Sequence, residues 1–314
     1  MKNTQFAFTH EPGPIVGAIG LGVDSTAYLA GFARRGIRPD KLLFADTGAE
    51  KQETYDYEPI LQEWLRKEGF PPLEVVTYVP QNFKNWPPYH TLEQNCLTNG
   101  TLPGISFGPA SCSVKWKHAP QHAAVKAWQP AREAWSHGQR VRKVIGFDAG
   151  PRDRARSYSA DPKDAHLYDY WTPLIEWGWD RAECMRQIAA VGLPVPVKSS
   201  CFFCLAMKPD EVKGLNPGYW RRIVRLEAQA HPRLTTCEGL WRKAVKGCRG
   251  AVARPGSMTE YIRQERLLPS DEIDHIWQHT PPAILSFQEG YAAALAAGTA
   301  DQFTAANAAN DYRN

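Results

Sequence analysis

Short apolar runs alternate with helix-period segments along the first eighty residues, and that alternation confines the fold more than any other feature of the chain. Ile15–Ile19 and residues 42–45 and 73–79 have strand length and strand composition. Residues 25–35 and 52–68, between them, space their apolar side chains as amphipathic helices do, and 141–145 reads as a further strand. A buried strand followed by a helix rejoins its sheet as a parallel neighbour through a right-handed crossover, with helices covering both faces. The predicted fold class is therefore α/β, a parallel twisted sheet with helices on both faces. After about residue 205 the pattern turns helical, over 217–230, 258–267, 270–278 and an alanine-rich 282–297. The expected division is an α/β domain over 1–215 and a helical extension over 216–314, the last dozen residues frayed.

The turns that leave the strands carry the chemistry. Ile15–Ile19 runs into Gly20-Leu21-Gly22-Val23-Asp24-Ser25-Thr26, a glycine turn opening a helix. Such a turn aims several backbone N–H groups at one spot, and the helix terminus adds partial positive charge, so the spot suits a phosphate. Ser25 and Thr26 bring hydroxyl donors. An ordinary strand-to-helix turn with an Asp/Ser cap is the plain alternative, and no Walker pattern is present. Asp46-Thr47-Gly48 comes after the second strand, and Gly146 to Arg156, with Arg152 and Arg154, comes after residues 141–145. Ligands of parallel sheets bind at the carboxyl ends of the strands, where all three segments fall.

Seven scattered cysteines, an odd number, argue against a disulfide framework and for a reducing cytoplasm. No run approaches membrane-span length, and Met1 to His10 lacks the pattern of a secretory signal. Cys201-Phe202-Phe203-Cys204 brings two sulfurs to one side of a turn, as a metal centre, a redox dithiol or a pair of buried thiols would require. Residues 80–111 form a long proline-rich loop with Phe83, Trp86, Tyr89 and Phe107 to pack, the mark of a functional loop. From Arg221 to Arg254 nine Lys and Arg face two acids, with Trp220 and Trp241 among them. The patch reads as a nucleic-acid surface or as a solvated helical face.

The glycine turn resembles the PP-loop, the pyrophosphate loop of the adenine nucleotide alpha-hydrolase superfamily. Gly22, Asp24 and Ser25 match its Ser-Gly-Gly-x-Asp-Ser pattern, while Gly20 replaces the serine and Leu21 the first glycine. Asp46-Thr47-Gly48 with Glu53-Thr54-Tyr55 resembles a PAPS reductase segment. So do Cys112-Ser113-Val114-Lys115-Trp116-Lys117 with Pro120, the Gly146 segment, and Tyr170-Trp171-Thr172-Pro173-Leu174 followed by the Cys201/Cys204 pair. Together these matches span roughly residues 14–215.

The resemblance implies a Rossmann-like PP-loop enzyme that binds ATP with Mg²⁺. Gly20, Gly22, Asp24, Ser25, Thr26, Asp46, Thr47, Gly48, Gly146, Arg152 and Arg156 would hold the nucleotide. Asp24 and Lys115 would serve catalysis, and Lys117 would join Lys115 as a phosphate clamp. Cys112, Cys201 and Cys204 would ligate a 4Fe–4S cluster, either with one iron left open for sulfur or substrate or with Cys237 or Cys248 as a fourth ligand; zinc on the three cysteines and a histidine such as His118 is the alternative. The implied activity is adenylation of a substrate for sulfur transfer, with a sulfur-donor protein as partner. The alternatives are reduction of PAPS or APS, with Cys237 as nucleophile, and a non-catalytic protein that binds nucleotides or nucleic acid. Cys96 and Cys184 read as structural.

Overall fold

The computed structural model describes residues 13–104, 111–155, 164–247, 252–280 and 283–303. In chain order these form β1 (Ile15–Ile19), α1 (Val23–Arg35), β2 (Lys41–Asp46), α2 (Gln52–Lys67), β3 (Leu73–Thr77), β4 (Asn85–Trp86) and α3 (Leu92–Asn99). A π-helical stretch over Ser113–His118 leads into α4 (Ala119–Ala127) and α5 (Gln129–Ser136). Next come β5 (Val141–Val144), α6 (Pro151–Arg154), β6 (Tyr168–Trp171), α7 (Pro173–Glu176), α8 (Arg181–Ala190), α9 (Pro209–Lys213) and α10 (Pro217–Ala230). The last elements are α11 (Met258–Gln264), α12 (Ser270–His279), β7 (Leu285–Ser286) and α13 (Phe287–Ala296).

Two compact units result, each discontinuous in sequence. The first comprises Met1–Asp46, Glu50–Thr77 and Lys115–Ser200; the second comprises Thr47–Ala49, Tyr78–Val114 and Cys201–Asn314. The first is an α/β unit, as the apolar alternation predicts. Its five strands are all parallel, in the order β3-β2-β1-β5-β6. Alternate residues of one strand feed opposite faces. Leu42 and Phe44 of β2 join the core beneath α1, α2 and α8, whereas Leu43 joins Val16, Val141 and Val125 on the face covered by α4 and α5. Because β2 and β3 lie on one side of β1 while β5 and β6 lie on the other, the strand order reverses between β1 and β5. That is where open parallel sheets form a crevice.

The second unit holds the expected C-terminal helices and more. Within residues 80–111, read as a loop, α3 forms on a full capping box between Thr91 and Gln94. β4 pairs antiparallel with β7 through Asn85–Ser286 and Trp86–Leu285. The helix expected over 282–297 starts only at Phe287, capped by Ser286. β6 belongs to a motif that the sequence offers without a strand signal of its own: four residues with three aromatics. Glu227, inside α10, is 2% exposed. It accepts hydrogen bonds from the Leu240, Met258 and Thr259 amides at 2.6, 2.9 and 2.8 Å, and from the Ser257 hydroxyl at 2.6 Å. Phe107, Arg156, Cys248, Arg249, the N-terminal decapeptide and most of the final dozen residues, all subjects of sequence expectations, lie outside the described residues.

Candidate functional site

The crevice at the strand-order reversal is built from the ends of β1 and β5. Gly22, not an Asp or Ser side chain, caps α1, and the Thr26 amide closes the first helical hydrogen bond on the Gly22 carbonyl at 3.1 Å. The Ser25 hydroxyl is used inside the turn. It accepts from the Gly20 amide at 3.2 Å and donates to the Gly22 carbonyl at 3.1 Å. Ser25 is 6% exposed and Thr26 fully buried, so the turn offers a ligand backbone rather than hydroxyls. Leu21, where the resembled loop has glycine, takes φ +55° and is fully buried.

Two glycines mark close approaches. A Cβ on Gly146 would lie 3.1 Å from the Asp24 carbonyl carbon and the Ser25 amide nitrogen, so the end of β5 presses on the start of α1. A Cβ on Gly22 would lie 2.5 Å from the Ser199 hydroxyl oxygen. Ser199, which covers this turn, escapes the sequence reading; its only signal is its place just before the Cys-x-x-Cys.

Beside the turn, Asp24, Asp148 and Asp153 bring carboxylate oxygens within 4.8 Å of one another. Burial raises the Asp24 pKa, and the Asp148 and Asp153 charges raise it further, while Arg181, 2.9 Å away, opposes them. Asp148 also accepts from the Gly150 amide at 2.7 Å. Of this constellation the sequence signals Asp24 alone as a site residue. Arg152 stands exposed on α6, and Arg154 donates to the Ala149 carbonyl. The Tyr55 hydroxyl donates to Asp46 at 2.8 Å. Lys117 pairs at 2.9 Å with Glu50, whose side chain is 1% exposed, and Lys115 lies 6.0 Å from the Trp116 ring centre.

Cys112, Cys201, Cys204 and Cys237 all belong to the second unit. Thr47 is fully buried, and its hydroxyl meets the Cys201 sulfur at 3.3 Å. The Phe202 amide donates to the Ala49 carbonyl and the Leu92 amide to the Thr47 carbonyl, so the Asp-Thr-Gly turn, with Gly48 at φ +64°, is pinned from two sides. The Cys204 amide returns to the Cys201 carbonyl at 3.1 Å, which closes the Cys-x-x-Cys turn. Phe202 and Phe203, both fully buried, anchor it. Cys112, Cys204 and Cys237 are half-exposed. Tetrahedral zinc with Zn–S bonds of about 2.3 Å holds its sulfurs ~3.8 Å apart. Among the described residues no three Cys or His ligand atoms come within 4.8 Å of one another. Cys96 and Cys184 are buried, and burial pushes the Cys184 thiol up to about 12.

The basic segment is less free than its composition suggests. Arg221 pairs with Glu272 and Arg222 with Glu93, both acids from outside the segment. Trp241 is 4% exposed and donates to the Met207 carbonyl, Trp220 donates to that of Val212, and Arg254 stacks over Trp241 at 4.5 Å. Among the described residues no helix is long and apolar enough to cross a membrane. No protein-family model and no curated protein matches the chain.

Proposed function

We propose that the chain is a PP-loop-type enzyme that binds ATP on the turn over Gly20–Thr26 and activates a substrate as an adenylate for sulfur transfer. One observation carries the reading: the ends of β1 and β5 meet at the strand-order reversal, where a glycine turn, a helix start and three carboxylates converge. In this reading the pyrophosphate lies against the turn's backbone. A substrate oxygen attacks the α-phosphorus, pyrophosphate leaves, and a sulfur nucleophile then displaces AMP. Asp24, Asp148 and Asp153 offer the hard oxygen donors Mg²⁺ requires, and the ion would neutralise charge on the departing pyrophosphate. Lys115, Arg152 and Arg156 would clamp phosphate. Cys112, Cys201 and Cys204 would hold an iron–sulfur cluster, which supplies electrons or an iron that binds sulfur. The odd count of seven scattered cysteines supports a reducing, cytoplasmic setting.

The test is anaerobic purification with iron and sulfide analysis, and nucleotide turnover on the same sample. Pyrophosphate release from ATP is the expected result. Sulfite release from PAPS or APS would replace the adenylating reading by the reductase one, and binding without turnover would leave a nucleotide-binding protein. Gly22→Val should abolish ATP binding, because its side chain must displace Ser199 from the turn. A folded Gly22→Val protein with unchanged ATP and PAPS affinity in calorimetry would sink the assignment. Cys112→Ala, Cys201→Ala and Cys204→Ala should each remove the same brown chromophore, and a colourless protein with stoichiometric zinc would refute the cluster.

A further inference from the structure

The second unit contains a cavity of about 500 Å³ lined by neither the glycine turn nor the cysteines. That volume lies within the range of small-molecule sites, roughly 300–1,000 Å³. Trp86, Leu97, Ile284 and Phe303 supply apolar wall, and Arg225 and Gln229 line it from α10. Four residues apart, the two share one helix face. Trp86 and Phe303 form an aromatic corner, with ring centres 4.6 Å apart at 62°. Phe287 and Tyr291 back the indole at 5.4 and 5.9 Å.

Polar groups on its wall point to an occupant. Gln229 is 8% exposed and lines the cavity, and the Nε2 of His90, which lines it too, is buried with no hydrogen-bond partner among the described residues. Leaving such a group unsatisfied costs about 1–3 kcal/mol. On α10 Arg221 and Arg222 are neutralised by carboxylates. Arg225, exposed on the same helix, lines this cavity.

We propose that the cavity binds an adenine nucleotide monophosphate unit. The aromatic corner takes the flat base. The Gln229 amide, donor and acceptor side by side, matches the donor–acceptor edge of adenine. The single guanidinium of Arg225 takes one phosphate; a triphosphate would call for more cations than the wall provides. Free AMP and an adenosine within a single strand present the same chemistry. The assignment is independent of the reading of the glycine turn.

The experiment is calorimetric titration of the full chain with AMP, UMP and an adenine octadeoxynucleotide, on wild type, Arg225→Gln, Gln229→Leu and Gly22→Val. AMP should bind, and each of the first two variants should weaken it about tenfold or more with an unchanged melting temperature. Gln229→Leu should also erase the preference for AMP over UMP. Gly22→Val should keep this binding whatever becomes of ATP, which separates the two sites. An octanucleotide that binds more tightly than AMP, with steep salt dependence, identifies the single strand as the source; the reverse order identifies free nucleotide. No binding of either at about 1 mM, or affinities unmoved by both cavity variants, would overturn the proposal. A loss confined to Arg225→Gln would reduce the cavity to an anion site and overturn the assignment of the base.

Discussion

At the scale of single residues the most telling position is Leu21. A non-glycine residue at φ +55° carries strain of roughly 1–2 kcal/mol. The chain keeps leucine because the side chain is fully buried with Val23, Tyr28 and Leu29 in the core beneath α1. Leu21→Gly therefore relieves strain but opens a cavity, and large-to-small changes of that kind cost about 2–5 kcal/mol. The expected balance is a loss of roughly 1–3 kcal/mol in urea denaturation, with nucleotide affinity kept. A stabilised variant would show that strain at this turn outweighs packing. Ser199 presents the opposite case: no residue type or spacing flags it, and only the fold carries it over Gly22.

At the scale of elements, α10 shows why a local count of charge misleads. The strong positive excess of its neighbourhood is partly cancelled by Glu93 on α3 and Glu272 on α12, far away in sequence. Glu227, one of the two acids in that neighbourhood, is a buried acceptor of four hydrogen bonds from the segment around Leu240 and the start of α11. Glu227→Gln places an N–H₂ group against backbone donors. The expected cost is about 2–4 kcal/mol, read as a lower denaturation midpoint. A shift within the noise would mean that the segment holds itself in place without the carboxylate.

At the scale of the whole molecule, the parallel sheet was legible because each strand carries its own apolar run and each crossover its own helical period. β6 was not, since Tyr168–Trp171 is short and aromatic on both faces. The glycine turn was legible as a motif. The partners of Asp24 were not, because Asp148, Asp153 and Arg181 reach it only through the order of the strands. Lys143 was equally silent: a lysine in β5, 2% exposed, 5.6 Å from the Tyr168 ring centre, with His122 bonded to the same tyrosine at 2.8 Å. Burial lowers its pKa to about 8, against a partial counter-pull from Asp164. The folded state thus releases this proton before the unfolded state does. Its penalty is full below pH 8 and fades as pH rises toward the ordinary value of 10.5. Lys143→Met should stabilise the protein by roughly 2 kcal/mol at neutral pH and by much less near pH 10. A pH-independent difference in urea midpoints would remove the titration as its cause.

The interleaving of the two units sets a timetable for synthesis. When residue 77 has been made, β1, β2 and β3 can pair, but β5 and β6 are still to come. Residues 78–114 emerge next and belong to a unit that, apart from the short Thr47–Ala49 piece, is completed only by the chain from Cys201 onward. At ~5–20 residues per second, that stretch, with its aromatic side chains, waits on the order of ten seconds for its partners. During this interval Trp86, Tyr89 and Leu92 are bare on the nascent chain, so the ribosome-bound intermediate is the form in which this protein is most exposed to chaperones.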